Sequence, residues 1–392
     1  LGTLFNEPTR VIDEPWYGIA HYDFLNGCSR EGYPEMRSAW ETAFKSFPEY
    51  SKNDVRARFK SKSFEQHQSA AFELYLHSLL LTCGLIPVTQ TVADQTPGGR
   101  PDFLFQNDQG GKLSFEAHCV FSPNETNAFR LFEYSLVKSI NQRYPNLQYT
   151  LSIEFMNKVN RTLSLSGIIL RFGNVISIFD EMFTSQKNLS GPCWEHAKTC
   201  KIDELVLKVY PHIASDGMMS SSLGRGVRMG SSAHLDNTHE LVRKALQKKG
   251  SHYAAELRTV LCCNIVGSMG FDFDSVCDAL FGDTVLHCGI SSQGEIISTE
   301  PSRAHNGFWQ HRGVAQNTRV PAVLFFHNIG STHYDSTEIP SLILNPFIPN
   351  IDAIPVFELC EVYWFNPKSK DWEITQASSK FDFKSLEIMK IQ

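Results

Sequence analysis

The chain has 392 residues, 42 % hydrophobic and 20 % charged, with a formal net charge of −6. This is a globular composition with ample apolar material for a sizeable core, and it excludes a disordered tail, a collagen-like fibre and a coiled coil. No apolar run reaches the roughly 18 residues of a membrane span. The opening segment LGTLFNEPTRVIDEPW has neither the basic nor the apolar region of a secretory signal, so a cytoplasmic protein without membrane contact is expected. The negative charge argues against an all-over basic coat but leaves room for a local groove that takes nucleic acid.

Ten cysteines are spread along the chain without framework spacing. Cys83, Cys119, Cys262 and Cys263 lie in apolar runs, where a thiol packs as a small hydrophobe, so reduced cysteines are expected. Cys193, His196 and Cys200 form the one zinc-like group, with three ligands and no matching half nearby.

In chain order, helices are expected at 38–47 and from Asp54 onward. Lys52, Arg56, Arg58, Lys60 and Lys62 face only Asp54 in this segment. The run is either a solvated helix face or a phosphate-contacting arm, with Arg56, Arg58 and Lys60 as its nucleic-acid-binding candidates. A strong helix follows over 64–83, stopped by Gly84. Strands are expected at 87–92, 101–106 and 112–121, the last two joined by the hairpin-loop composition NDQGG. Then come a helix at 125–143, a strand at 148–155 and a helix at 163–184.

A composition shift over 186–202 reads as a boundary. Beyond it, LVLKVYP is a strand, 212–235 a Ser/Gly/Met-rich loop, 238–249 a helix, 259–266 a buried strand and 274–281 a short helix. Later strands are expected at 321–327, 341–345 and 356–364. The organisation is thus a basic helical arm over 1–62, an α/β core over 63–190 and a C-terminal α+β region over 191–392.

One carboxylate, Glu73, stands inside the most apolar stretch of the 64–83 helix, AAFELYLHSLLL. A lone buried carboxylate is costly without a positive partner, and His77, one turn on, or a metal ion fits that need. The hairpin supplies two more acids. A turn centred on Gln109 sets Asp102 opposite Glu116, and directly opposed residues have Cβ atoms about 4.5–5.5 Å apart. Alternation then puts His118 on the face of Glu116. Two carboxylates so close require a bridging cation or a retained proton, so at least one should show a raised pKa. Mg²⁺ takes one or two carboxylates plus water, and Asp102 and Glu116 offer that set.

Glu73 on a helix, Pro101-Asp102 opening a strand and Glu116-x-His118 on the next together resemble the PD-(D/E)xK nuclease superfamily. The order helix–strand–strand–strand–helix–strand over 64–156 resembles its core. The whole chain is also similar to uncharacterised bacterial proteins of about this length, which carry a helix like FELYLHSLLL, a RPDFL strand, a following EA pair and a late segment like NTRVPAVLFF. The resemblance implies an α/β fold with a mixed β-sheet flanked by helices, a restriction-endonuclease-like core. It implies Mg²⁺ (or Mn²⁺) on Asp102 and Glu116, with Glu73 supporting the site.

His118 stands where the superfamily has a lysine that orients water and offsets phosphate charge. Histidine can act there as base or donor. Alternatively, a cation comes from elsewhere: Arg130, Tyr134 and Lys138 share one face of the next helix, so Lys138 or Arg130 would reach the phosphate. A third outcome is an inactive site. In the second half, Trp309, His311, Arg312, Gln316, Asn317 and Arg319 cluster in GFWQHRGVAQNTRV, where Arg312 and Arg319 are candidates for reading bases or phosphates or belong to a structural loop. Arg225, Arg228, Arg243, Lys244, Lys248 and Lys249 are further phosphate candidates.

The expectation is therefore a metal-dependent nuclease acting on DNA, with Glu73, Asp102, Glu116, His118 and Lys138 as its catalytic set and a place in bacterial defence. The alternative is a catalytically inactive nuclease-fold subunit that binds nucleic acid or a protein partner in a defence complex. A zinc protein built on Cys193, His196 and Cys200 is the third reading.

Overall fold

The computed structural model describes residues 2–7, 11–12, 20–88, 101–106, 112–121, 127–144, 150–155, 165–185, 197–202, 205–211, 226–229, 238–250, 258–267, 272–291, 293, 295–312, 314–332, 339–348, 360–366 and 371–375. Its contacts divide the chain into two compact units. One is Leu1–Ser122 together with Asp236–Gln392, and the other is Pro123–Leu235. The divisions therefore fall elsewhere than at the expected 62/63 and 190/191. Strands from the late part of the sequence complete the sheet that the hairpin begins.

The first unit opens with helices α1 (His21–Gly27), α2 (Tyr33–Ser46), α3 (Lys52–Phe59) and α4 (Phe64–Thr82), then strands β1 (Ile86–Pro87), β2 (Phe103–Gln106) and β3 (Lys112–Phe121). The second unit carries α5 (Asn127–Arg143), β4 (Thr150–Phe155), α6 (Leu165–Ser185), β5 (Lys198–Ile202), β6 (Leu205–Pro211) and β7 (Gly226–Met229). The first unit resumes with α7 (Thr238–Gly250), β8 (Thr259–Val266), α8 (Phe273–Phe281), β9 (Thr284–Ile290), β10 (Ile296–Arg303), β11 (Gln310–His311) and β12 (Val314–Ala315). It ends with β13 (Ala322–His327), β14 (Ser341–Leu344), β15 (Glu361–Asn366) and β16 (Asp371–Thr375).

The fold is mixed α/β. Eight strands run in the order β1-β2-β3-β8-β13-β14-β15-β16. β1, β2 and β3 pair antiparallel, whereas β3, β8 and β13 are parallel neighbours. β8, TVLCCNIV, is buried along its whole length, as expected of an apolar run paired on both edges. Alternation sorts the two faces. Leu113, Phe115, Ala117 and Cys119 of β3 join the core beneath α1–α4, and Val120 joins a second core beneath α7 and α8. Val260 and Cys262 of β8 face the first core, and Leu261, Cys263 and Ile265 the second.

Local signals explain the element that covers the first face. Ser63 caps α4 by accepting from the Gln66 amide at 3.4 Å, and Gly84, at φ 75°, ends it in the left-handed conformation open to glycine. Apolar side chains surround most of α4, which fits a helix wedged between the sheet and α2–α3.

Two expectations change here. The helix at 125–143 and the strand at 148–155 exist as α5 and β4, but they belong to the second unit, whose sheet runs β5-β6-β4-β7. The helix and strand that follow β3 in the first unit are α7 and β8. Neighbourhood in sequence suggested the wrong pair because a whole compact unit intervenes. The 186–202 segment, read as a boundary, contributes β5, and the expected strand and loop readings gave no sign of the exposed β9–β10 ribbon. Residues 89–92 and 356–359 of two expected strands lie outside the described residues. Among the described residues no helix is long and apolar enough to cross a membrane.

Candidate functional site

The β2–β3 hairpin has the register read from the sequence: Phe103 faces Phe115, Leu104 faces Ser114, and Gln106 faces Lys112. Asp102, one residue before β2, therefore arrives beside Glu116. Two backbone–side-chain hydrogen bonds lock the pair. The Asp102 amide donates to Glu116 Oε2 at 3.3 Å, and the Ala117 amide donates to Asp102 Oδ2 at 2.9 Å. Each acid is thus held by the backbone of the other's strand, which fixes their relative position without long side chains.

Glu116 and His118 alternate with the first-core residues of β3, so they face α7 and not α4. From the last turn of α7, Lys249 forms an ion pair with Glu116 Oε1. The Glu116 side chain is only 3 % exposed and that of Lys249 28 %. Burial by itself lowers the pKa of the Lys249 ammonium, but the carboxylates of Glu116 and Asp102 outweigh it and raise it. His118 is pushed down to about 4 by burial and by the nearby Lys249 charge, so its imidazole is neutral at neutral pH. Asp102 moves the other way. Burial, then the charges of Glu116 and Glu73, raise its carboxyl to about 8.

Glu73 approaches from α4. Its positive partner in the structure is Arg58 of α3, not His77. Arg58 donates from Nη1 to Glu73 Oε1 and from Nη2 to Glu73 Oε2, both at 2.7 Å, and from Nε to Asp54 Oδ2 at 2.8 Å. The planar fork suits a carboxylate, so the Arg58 expected to contact nucleic acid is engaged by two acids of its own chain. His77 is fully buried, ringed by Phe47, Phe103 and Phe105, and among the described residues neither ring nitrogen has a hydrogen-bond partner. Burial drives it down to about 3, so it sits there as a neutral, largely hydrophobic ring.

The remaining candidates fall into four groups. In the N-terminal segment, Lys60 donates to Asn6 Oδ1 at 2.7 Å and lies over the Tyr22 ring, and Arg56 donates to Asn53 Oδ1 at 3.0 Å. These bonds tie down the expected phosphate arm. Lys138 is exposed on α5 of the second unit, and the side chain of Arg130 lies outside the described residues. In GFWQHRGVAQNTRV, Gln316 and Asn317 donate to the carbonyls of Gly307 and Phe308 at 2.7 Å, so they hold the loop, while Arg312 is exposed and Arg319 half-buried. Cys193, His196 and Arg225 lie outside the described residues, and among those described no group of three or more His, Cys, Asp or Glu side chains is arranged to hold a metal.

Two residues of the site escaped assignment from sequence. Lys249 is one of several basic residues in ELVRKALQKKG, and nothing local distinguishes it from its neighbours. The available signal is the buried strand acid Glu116, which demands a cation without saying where in the chain it lies. Arg58 was visible as a charge, but its bidentate role depends on how α3 packs against α4. Compared with known proteins, the chain matches no family model, no curated protein and no solved structure.

Proposed function

We propose that this chain is a metal-dependent nuclease that hydrolyses phosphodiester bonds, with DNA as substrate. The observation that carries the reading is the interlocked pair Asp102–Glu116 with the Lys249 ammonium on its far oxygen. The order α4, β1, β2, β3, α7, β8, with β8 parallel to β3, supports it, because it keeps the helix–strand–strand–strand–helix–strand succession of PD-(D/E)xK nucleases once the second unit is set aside.

The donors suit a hard divalent cation. Asp102 and Glu116 offer oxygen only; burial first, and repulsion from Glu116 second, raise Asp102, and a bound cation would relieve that repulsion. Asp102 and Glu116 would hold Mg²⁺ or Mn²⁺, which when bound lowers the pKa of a water and stabilises charge on the phosphate. Lys249 fills the place of the motif lysine: it orients Glu116 and presents a fixed positive charge to a scissile phosphate. His118, neutral and on the same face, accepts a proton from the attacking water. Glu73, fixed by Arg58, adds negative charge that keeps the cation at Asp102. Lys138 is not needed for this chemistry.

The test is cleavage of plasmid and single-stranded DNA with Mg²⁺ or Mn²⁺ by the wild type, Asp102→Asn and Lys249→Met. Loss of about 100-fold or more in both variants is expected. Equal cleavage by all three proteins would reject the reading. The already formed Lys249–Glu116 pair favours one other reading, a nuclease-fold subunit that binds nucleic acid or a defence-complex partner without cutting it. Salt-sensitive DNA binding without any Mn²⁺ binding would select that alternative.

A further inference from the structure

The end of α7 that brings Lys249 to Glu116 rests on another element. A Cβ at Gly250, the next residue, would lie 2.9 Å from two carbons of the Phe308 ring and 3.7 Å from Asn317 Oδ1, so the glycine is what lets that ring in so close. Phe308 and Asn317 are the stem of the small hairpin in which β11 pairs with β12. The stem is fixed in place. The Phe308 and Trp309 amides donate to the carbonyls of Ala279 and Leu280 on α8 at 3.1 and 2.7 Å, and the Gln316 amide donates to the Trp309 carbonyl at 2.8 Å. Arg312 follows β11 at the tip. Four residues on from Phe308, it lies at most about 14 Å from that contact, the length of about four nucleotides at roughly 3.4 Å of rise along one DNA strand.

Arg312 has φ 51°, the left-handed conformation that tight hairpin turns need and that asparagine or glycine ordinarily supplies. The other two non-glycine residues with positive φ among those described, Asn317 and Asn328, are both asparagine. The Arg312 amide donates to the His305 carbonyl at 3.1 Å, a bond any residue but proline would make there. Its side chain is exposed and forms no ion pair among the described residues. The turn itself gains nothing from arginine, yet it carries a guanidinium outward on a rigid stem.

We propose that the β11–β12 hairpin grips the DNA strand beside the reaction centre, with the Arg312 guanidinium on a backbone phosphate a few nucleotides from the one that Lys249 faces. The inference rests on the nuclease reading of Asp102, Glu116 and Lys249. A guanidinium fork matches phosphate oxygens, and a residue held in a strained conformation points to use of its side chain. A phosphate contact reads no base edge, so the hairpin sets affinity and register rather than sequence preference.

The experiment measures binding of a single DNA strand of about 20 nucleotides over a salt series, and its cleavage beside that of thymidine 5′-(p-nitrophenyl phosphate), whose one phosphate is the scissile one. Arg312→Asn keeps a residue suited to the turn, so thermal unfolding should not fall. It should raise KM for the strand about tenfold with kcat held, and lower the salt slope of log affinity by about 0.7. The ratio of strand cleavage to chromogenic cleavage at low substrate should fall by the same factor. Arg312→Lys should retain most of the affinity, because a point charge still reaches a phosphate. Wild-type KM and salt slope in Arg312→Asn would overturn the inference and leave the nuclease reading intact. An equal loss on both substrates would overturn it too, since the effect would then lie in the fold or the chemistry. No cleavage of either substrate by the wild type would overturn the nuclease reading, while the salt slope still decides whether Arg312 holds a phosphate.

Discussion

His67 and Ser331 are as thoroughly buried as Glu116, yet the two places answer the cost of buried polarity in opposite ways. Around His67 every partner is neutral and every bond is closed. Its Nδ1–H donates to the Phe59 carbonyl, which leaves Nε2 to accept from Ser331 Oγ at 2.7 Å. The Ser331 amide donates to Gln68 Oε1 at 3.0 Å, and Trp40 Nε1 donates to the Ser331 carbonyl at 3.0 Å. This network pins the chain after β13 to α2 and α4. Around Glu116 the partner is a charged ammonium, and a second buried acid, Asp102, is pushed up to about 8 beside it. A fully satisfied neutral network specifies a fold, whereas a buried cluster that holds a carboxyl far from its ordinary pKa marks a place where a charged ligand would change the balance.

The largest expected effect comes from breaking the charged cluster. In Lys249→Met, Glu116 stays buried without its ammonium, and losing one partner of a buried pair costs about 3–5 kcal/mol. We expect urea unfolding to register a loss of that order. Adding Glu116→Gln to the variant should recover most of it, because the uncompensated charge is then gone. No recovery in the double variant would mean that Lys249 acts by packing alone.

The pH dependence sets His67 and Asp102 apart by sign, while His118 beside Glu116 shifts in the same direction as His67. Burial holds His67 at about 4, below its ordinary 6.5, so as pH falls the unfolded chain takes up the proton first. Its contribution is complete above about 6.5 and is lost as pH falls toward 4. Asp102 behaves in reverse. Its pKa is raised from 3.8 to about 8, so the folded chain keeps a proton that the unfolded chain has released. Stability present below the ordinary carboxylate value is lost as pH rises through about 8. Urea midpoints measured between pH 4 and 9 should therefore fall at both ends. Asp102→Asn, which mimics the protonated acid, should flatten the alkaline fall and steepen the acid fall, because the Asp102 contribution also changes between about 4 and 6.5, with the opposite sign to that of His67. A variant that tracks the wild type at alkaline pH would contradict the electrostatic origin of the Asp102 shift.

How far the sequence reveals these regions depends on how local their causes are. The hairpin register follows from five loop residues and strand alternation, so the Asp102–Glu116 pair was legible before any coordinate. β8 matched its expected bounds, 259–266, because an unbroken apolar run has few other uses. The partners of the acids were not legible. Lys249 lies 133 positions from Glu116 and reaches it only because β8 adds beside β3 and brings α7 over that face. The expectation that α5 and β4 complete the core failed for the same reason, since periodicity identifies elements and says nothing about which sheet they join. His77 misled because a histidine one turn from a buried glutamate resembles a partner, yet the ring turns toward Phe47 and Phe103 instead.

The smallest effect tests the neutral network and, through it, the comparison. Ser331→Ala removes the hydroxyl that donates to His67 Nε2 but keeps the backbone bonds to Gln68 and Trp40. A neutral hydrogen bond contributes about 1 kcal/mol net, and a buried acceptor left unpaired adds about as much again. We expect a loss of about 1–2 kcal/mol in urea unfolding. Mn²⁺ binding and any DNA cleavage should stay at wild-type levels, because the hydroxyl serves the fold and touches none of the charged groups. The unpaired Nε2 should also take up a proton more readily, so the His67 part of the acid fall should be smaller and level off at a higher pH than in the wild type. If Ser331→Ala instead weakened Mn²⁺ binding, the two regions would be one coupled unit, and the division between a closed neutral network and an open charged one would be lost.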